Sequence, residues 1–320
     1  MNCAKNKLAI VGVGHVGSAV LNCALSFNLA ADIALIDIIE KKAIGEALDA
    51  SHGTPFTYSP NVHIHAGGYE ECKDAKVIIV AAGPSILPGE KTDRLLLADR
   101  NVQVIKDVMT AITQYTKDAI IIIITNPLDI TLYCAQNLFG YPRHKVFGTG
   151  TTLETARLRR ILANKYAVDP KNVHGYMLGE HGNSAFPAWS LVNVAGIPSD
   201  RLDEYFQPAE PLDREKTAAE VVSVAYDVLN FKGCTNSGIA MVACRLARSV
   251  LFNEGSIFPV STTLKGDYGL SQVALSLPCQ ITATGVTRRL NVPLPAAEKE
   301  KLHKSAASIS QVLRSVGLVG

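Results

Sequence analysis

Residues 7–37 read KLAIVGVGHVGSAVLNCALSFNLAADIALID, and this stretch decides the fold. KLAIVGV (7–13) is a short, β-branched apolar run that ends beside glycine, as a buried strand does. Val16, Val20, Ala24 and Phe27 then recur every three or four residues, which lays one face of a helix on a sheet. IALID (33–37) is a second apolar run, so the stretch is a βαβ unit of about the length such a crossover needs. Gly12, Gly14 and Gly17 form G-x-G-x-x-G where the first strand meets the helix, and Asp37 ends the second strand 20 residues after Gly17. A dinucleotide asks for these residue types. Glycine permits the tight turn and the close approach of a pyrophosphate, and the helix N-terminus that begins near Val16 offers free N–H groups and the positive end of a dipole. An acid at the position of Asp37 reaches the adenosine ribose hydroxyls and repels a 2′-phosphate, so NAD is expected rather than NADP. The alternative is a tight βα turn without a ligand.

Working outward, strand-like runs recur at KVIIVAA (76–82), AIIIIIT (119–125) and KVFGTG (145–150). Helical patterns separate them at about 40–50, 94–115 and 129–139. Strands apolar on both faces that alternate with helices predict a parallel sheet with helices on both faces, an α/β NAD-binding Rossmann domain over residues 1–148. Beyond it the pattern changes. Two long helical stretches, REKTAAEVVSVAYDVLN and NSGIAMVACRLARSVLF, precede SIFPVSTTLKG and SQVALSLPCQI, which read as antiparallel strands, and a charged helix starts at about 295. Residues 149–320 are therefore expected to form a separate α+β catalytic domain.

The composition narrows the partners. Only 19% of the 320 residues are charged and the formal net charge is +2, too weak a field to imply nucleic acid or an acidic membrane, so a small molecule is expected. Seven scattered cysteines without a CxxC pair argue against a disulfide framework or a zinc site. The N-terminus lacks the pattern of a signal peptide and AIIIIIT is far too short for a membrane span, so a cytoplasmic protein is expected. His63 and His65 share a strand face as two metal ligands could, but with no third ligand near them in sequence they read as a solvated face, and no metal is expected. Phe186 and Trp189 read as core. The closing helix is amphipathic, with Leu302, Ile309, Val312 and Leu313 on its apolar side.

Two polar segments carry the candidate chemistry. In GTGTTLETARLRRILANKY (148–166), a helix is expected from Thr151 with its threonines as caps. Glu154, Arg157, Leu158 and Ile161 share one face, while Arg159 lies about 200° around the helix from Arg157. GEHGN (179–183) sets Glu180 and His181 between glycines. A solvated i,i+3 ion pair and a polar turn would account for both segments. The sharper reading joins them: a carboxylate on Glu154 raises the pKa of His181, so that it carries a proton at neutral pH, and Arg157 holds a substrate carboxylate through two parallel hydrogen bonds. Hydride transfer to a 2-oxo acid needs that combination.

Over nearly its whole length, through GVGHVG, TNPLD, GTGTTLETARLR, GEHGNSAFPAWS and KGCTNSGIAM, the chain resembles the NAD-dependent lactate and malate dehydrogenases, in their L-lactate and L-2-hydroxyisocaproate branch. The resemblance implies that His181 is the proton donor and acceptor and that Arg157 grips the substrate carboxylate. Glu154 stands where the family has an aspartate paired with that histidine, a departure expected to alter efficiency without abolishing activity. In GPSILPGEKTDR (83–94), Arg94 matches the arginine that closes over the substrate and polarises its carbonyl. Asn126 matches an asparagine beside nicotinamide and substrate, Thr235 a pocket threonine, and Gly83 a position along the cofactor. Ile86 falls where lactate enzymes carry glutamine and malate enzymes arginine, within a segment about two residues longer than usual. It leaves no cation for a second carboxylate, which disfavours oxaloacetate and suits pyruvate or a larger aliphatic 2-oxo acid.

Arg159 and His174 resemble the pair with which many bacterial lactate dehydrogenases bind fructose 1,6-bisphosphate between subunits, an ordinary interface or surface pair being the alternative. The family also implies a homotetramer. A hydroxyisocaproate dehydrogenase is the near alternative function. An NAD-dependent glycoside hydrolase would need metal ligands that the sequence does not supply and would leave Arg157 idle. A silent binding protein would have no need to keep His181, Arg157 and Arg94 together.

Overall fold

The computed structural model describes residues 6–84 and 94–320. The first half alternates strand and helix: β1 (Lys7–Val11), α1 (His15–Ser26), β2 (Asp32–Ile36), α2 (Glu40–Gly53), β3 (His63–Ala66), β4 (Val77–Val80), α3 (Arg94–Tyr115), β5 (Ile120–Ile123), α4 (Leu128–Asn137) and β6 (Val146–Gly148). VIIV of β4 and IIII of β5 are buried at every position, as strands covered on both faces must be. Each such isoleucine or valine contributes roughly 1.5–3 kcal/mol by leaving water.

The second half begins with α5 (Thr152–Tyr166). Five two-residue strands follow: β7 (Val173–His174), β8 (Met177–Leu178), β9 (Phe186–Pro187), β10 (Asn193–Val194) and β11 (Ile197–Pro198). Then come α6 (Leu202–Phe206), α7 (Arg214–Lys232), α8 (Ser237–Leu251), β12 (Ser256–Asp267), β13 (Leu270–Thr282), β14 (Gly285–Arg289) and α9 (Ala296–Ser315). α7 is capped as its sequence asks. The Asp213 carboxylate accepts from the N–H groups of Glu215 and Lys216, and Gly233 ends the helix at φ +84°. On α9, Leu302, Ile309 and Leu313 are buried as expected, and Phe186 and Trp189 are core residues.

Among the described residues the main sheet runs β14-β13-β12-β6-β5-β4-β1-β2-β3. Strands β1 to β6 are parallel, and the order reverses between β1 and β4, where a crevice opens beyond the carboxyl ends of the strands. The second half meets the first through β12, which joins the parallel sheet by the antiparallel pair Ser261↔Gly148. The apolar clusters cross the join as well. One packs Ile78, Ile105 and Ile121 with Leu178, Leu275 and Leu302, and the other packs Leu8, Ile33 and Ile122 with Val242, Leu246 and Cys279.

Candidate active site

The fingerprint turn is built as its glycines require. Gly12 has φ +88°, and a Cβ there would stand 2.7 Å from the backbone of Ala82 on the neighbouring strand's end. A Cβ on Gly17 would lie 1.9 Å from the carbonyl oxygen of Gly12, so the helix can pack on the turn only without one. Gly14 differs from both. Nothing lies within 4 Å of its Cβ position, which leaves the open cradle at the start of α1 that a pyrophosphate would fill. Asp37 closes the unit by accepting the Val13 N–H at 2.8 Å on one oxygen and the Ile39 N–H at 2.9 Å on the other. A second lone pair on each oxygen is left for ribose hydroxyls. These residues fit NAD.

From the fingerprint a cavity of about 490 Å³ runs into the second half. Its wall includes Gly14, Val16, Gly83, Asn126 and Thr235 along with Glu154, Arg157 and His181, so the sequence-predicted groups from both halves meet in one space. Gly83 has φ +134°, and a Cβ there would come 2.4 Å from Asn101 Oδ1. Asn101, a buried residue that sequence reasoning missed, donates from Nδ2 to the carbonyls of Pro84 at 3.1 Å and Asn126 at 2.6 Å. It ties together the ends of the two segments that border the cavity. Ile86 lies outside the described residues. Arg94 is the first residue of α3, and its side chain is outside them too.

The acid–base cluster sits at the second half's side of the cavity. Glu154, on the first turn of α5, lies with Oε1 3.0 Å from His181 Nδ1 and 3.7 Å from an Arg157 Nη1. The Glu154–Arg157 pair is not the solvated one that spacing alone allows, since the two side chains are only 7% and 15% exposed. The His181 contact is an ion pair and not an aligned hydrogen bond, and Glu154 Oε2 is buried with no hydrogen-bond partner among the described residues. Burial alone would favour a neutral imidazole, but the Glu154 charge and contact, with Asp129 behind them, override it and raise the His181 pKa to about 9. Burial likewise opposes the Glu154 charge, yet the imidazolium and then Arg157 hold its pKa below the usual value.

The GEHGN loop is fixed by groups far away in sequence. The His181 N–H donates to Asp129 Oδ2 at 2.7 Å, and Asp129 Oδ1 accepts the hydroxyl of Ser261 on β12. Asp129 is fully buried and its pKa is pushed up to about 7 by that burial, against the two hydrogen bonds. Ser305 of α9 accepts the Glu180 N–H at 3.3 Å and donates to the Ser184 carbonyl at 2.7 Å. The Glu180 carboxylate, for which the sequence offered no role, accepts both the N–H and the hydroxyl of Ser184. Of these residues Asp129 had a signal as the last residue of TNPLD, Glu180 and Ser184 lay within GEHGNSAFPAWS, and Ser261 and Ser305 had none.

One further expectation changes. The threonines do not cap α5 with their side chains: the Thr151 hydroxyl donates to the Met177 carbonyl at 2.6 Å and that of Thr152 to the Pro259 carbonyl at 3.3 Å. They hold the helix start against the second half instead. Arg159 is away from the cavity, as its angular position implies, with an Nη2 donating to the Gly175 carbonyl at 3.5 Å. Its Nε is buried without a hydrogen-bond partner among the described residues, and His174 nearby on β7 is exposed.

A dinucleotide cradle at the strand switch, opening through one cavity onto a buried carboxylate–imidazole–guanidinium cluster, defines an NAD-dependent oxidoreductase. The chain belongs to the lactate/malate dehydrogenase family. Residues 6–148 match the family's NAD-binding domain and residues 151–316 its alpha/beta C-terminal domain. It is 53% identical over 316 residues to L-lactate dehydrogenase 2 of Clostridium acetobutylicum, covering 99% of both chains. It is 52% identical over 314 residues to the L-lactate dehydrogenase of Selenomonas ruminantium, covering 98% of this chain and 99% of that one. Among solved structures, the ligand-bound minor L-lactate dehydrogenase of Enterococcus mundtii superposes with a TM-score of 0.93 at 35% identity, over 99% of this chain and all of the other. A lactate dehydrogenase from a Medee basin deep-sea metagenome library gives 0.92 at 32% identity, over 98% and 99%.

Proposed function

We propose that the protein is an L-lactate dehydrogenase that reversibly reduces pyruvate to the L-2-hydroxy acid with NADH. The observation that carries this reading is the single cavity that joins the Gly14 cradle to Glu154, Arg157 and His181. The reduced nicotinamide, when bound, supplies the hydride. The protein's own residues do the rest. Arg157 holds the substrate carboxylate and so fixes which face of the carbonyl is presented. His181, with Nδ1 on Glu154, gives the proton on Nε2 to the carbonyl oxygen as charge develops there, and recovers it in the oxidation direction. A pKa of about 9 keeps the ring protonated at neutral pH, which suits reduction. By resemblance Arg94 polarises the carbonyl, while Asn126 and Thr235 border the reacting centre.

By resemblance Ile86 falls at the position that tells substrates apart, and an isoleucine supplies no cation for a second carboxylate, which disfavours dicarboxylates. One methylene in an apolar pocket discriminates by only about 1–3 kcal/mol, so larger aliphatic 2-oxo acids remain substrates. The test compares kcat/KM for pyruvate and 4-methyl-2-oxopentanoate by NADH oxidation. An excess for pyruvate is the expected result, and a reversed ratio moves the enzyme to the hydroxyisocaproate branch.

Further parts of the reading rest on the sequence pattern and on resemblance. The chain divides near residue 148 into cofactor and substrate domains, assembles as a homotetramer and works in the cytoplasm. Arg159 and His174 bind fructose 1,6-bisphosphate; among the described residues the Nε of Arg159 is buried without a hydrogen-bond partner, which supports an anion near it. Pyruvate saturation curves with and without the bisphosphate test this, an unchanged curve counting against it.

A further inference from the structure

We propose that the outer edge of the main sheet carries a binding site for a divalent transition metal ion, formed by Asp32, His63 and His65. β3 is the last strand of the sheet, and His63 and His65 lie two residues apart on it, so both rings leave the same face. The parallel register of β2 and β3 sets Asp32 opposite His63 and Ala34 opposite His65, which supplies from the neighbouring strand the third ligand that is missing nearby in sequence. The two rings stack with centroids 4.5 Å apart and planes at 21°. His63 Nδ1 lies 3.2 Å, and His65 Nε2 3.1 Å, from the same Asp32 Oδ1. All three ligand atoms fall within 4.8 Å of one another.

The spacing suits a small tetrahedral ion. Bonds of about 2.0–2.1 Å to nitrogen and oxygen put neighbouring ligand atoms about 3.3–3.4 Å apart. Both histidine–aspartate distances are already close to that, and the ion needs little movement of the strands. Two imidazoles and one carboxylate favour Zn²⁺, Ni²⁺ or Cu²⁺ over Mg²⁺ or Ca²⁺, which ask for more oxygen ligands. Glu71 is the nearest further donor, with Oε2 3.9 Å from His65 Nε2, but it is held by the Lys7 ammonium. Water therefore takes the fourth position, and Lys7 weakens the site by its charge.

The site is independent of the proposed reaction. Asp32 opens β2 and Asp37 follows its end, so at about 3.3 Å per residue the ion sits roughly 16 Å from the cofactor's ribose contact, at the opposite end of the strand. Zn²⁺ is expected to stabilise the fold without entering the cavity.

The experiment is calorimetric titration of the metal-free full chain with Zn²⁺, compared with the His63→Gln/His65→Gln and Asp32→Asn variants. NADH–pyruvate turnover and thermal melting serve as checks of folding. One saturable site in the native chain, weakened at least about tenfold in both variants while turnover is unchanged, is the expected result. Lys7→Met should tighten binding several-fold. An equal isotherm in native chain and double variant would put the metal elsewhere and overturn the proposal. So would the absence of saturable binding by the native chain, which would leave the histidines as hydrogen-bond partners of Asp32 only.

Discussion

The cofactor cradle and the acid–base cluster face each other across one cavity, yet they are built in opposite ways. The cradle comes from one contiguous segment, Gly12 to Asp37, and its working parts are backbone amides, absent side chains and one carboxylate at its end. The cluster is gathered from α5, the GEHGN loop, α4, β12 and α9, and its working parts are buried charges that hold one another. A site of the first kind fails first by steric overlap. One of the second kind fails by losing a charge, and its pH dependence records which charge was lost.

The largest effect expected on this contrast comes from His181→Asn. Loss of a positioned proton donor should lower kcat/KM for pyruvate by about 10²–10⁴-fold, with NADH affinity unchanged in a fluorescence titration. A parallel loss of NADH binding would mean that the two regions are not separable.

Two glycine variants probe the cradle itself. Gly17→Ala places a Cβ 1.9 Å from a backbone oxygen. Overpacking of this kind costs about 1–3 kcal/mol, so NADH binding should weaken by up to about 5- to 150-fold and the melting temperature should fall. Gly14→Ala meets nothing. It should leave stability unchanged yet weaken NADH by about tenfold or more, because the methyl stands in the cradle a pyrophosphate would fill, a difference that melting curves and titrations resolve together.

Glu154→Gln removes the charge that keeps His181 protonated, and burial then favours the neutral ring. In the native enzyme kcat/KM for pyruvate reduction should fall as pH rises through about 9. In the variant that limb should move to lower pH, with a loss of about three- to tenfold under mildly alkaline conditions. Stability follows the same signs. The folded His181 pKa lies above its ordinary 6.5, so its contribution is full below 6.5 and disappears as pH rises through about 9. The folded Glu154 pKa lies below 4.5, so its share is full above 4.5 and is lost on acidification. Melting temperatures across pH should therefore show a native advantage over the variant that peaks between these limits.

The smallest effect is expected for Asp129→Asn, which keeps the shape and removes a charge behind the His181 amide. A loss of a few-fold in kcat/KM should accompany disappearance of an acid-side inflection near pH 7, where Asp129 titrates. An unchanged profile would make Asp129 a purely structural acceptor.

The same contrast explains what could be read in the sequence. The cradle was legible because strand, turn, helix and acid follow one another within 31 residues and each leaves a local pattern. Glu154, Arg157 and His181 were legible as motifs, and helical spacing alone separated Arg159 from Arg157. Their supports were not. Nothing in the sequence around Ser261, Ser305 or Asn101 marks a serine or asparagine whose partner lies far along the chain. Thr151 and Thr152 have the composition of caps, but tertiary acceptors at Met177 and Pro259 outbid the helix end. The two-residue strands β7 to β11 are too short for any alternation to register, and the meeting of Asp32 with His63 and His65 depends on the register between strands.

The pair Ser261↔Gly148 bears on how the chain comes apart. A ladder that continues from the parallel strands into the hairpin, with apolar clusters spanning both, removes any surface along which one half could melt while the other stays native. Scanning calorimetry should then record one endotherm that covers both halves. Damage in the hairpin, remote from the dinucleotide turn, would be felt there as a lower free energy of global opening, visible as faster amide hydrogen exchange in β1 and β4.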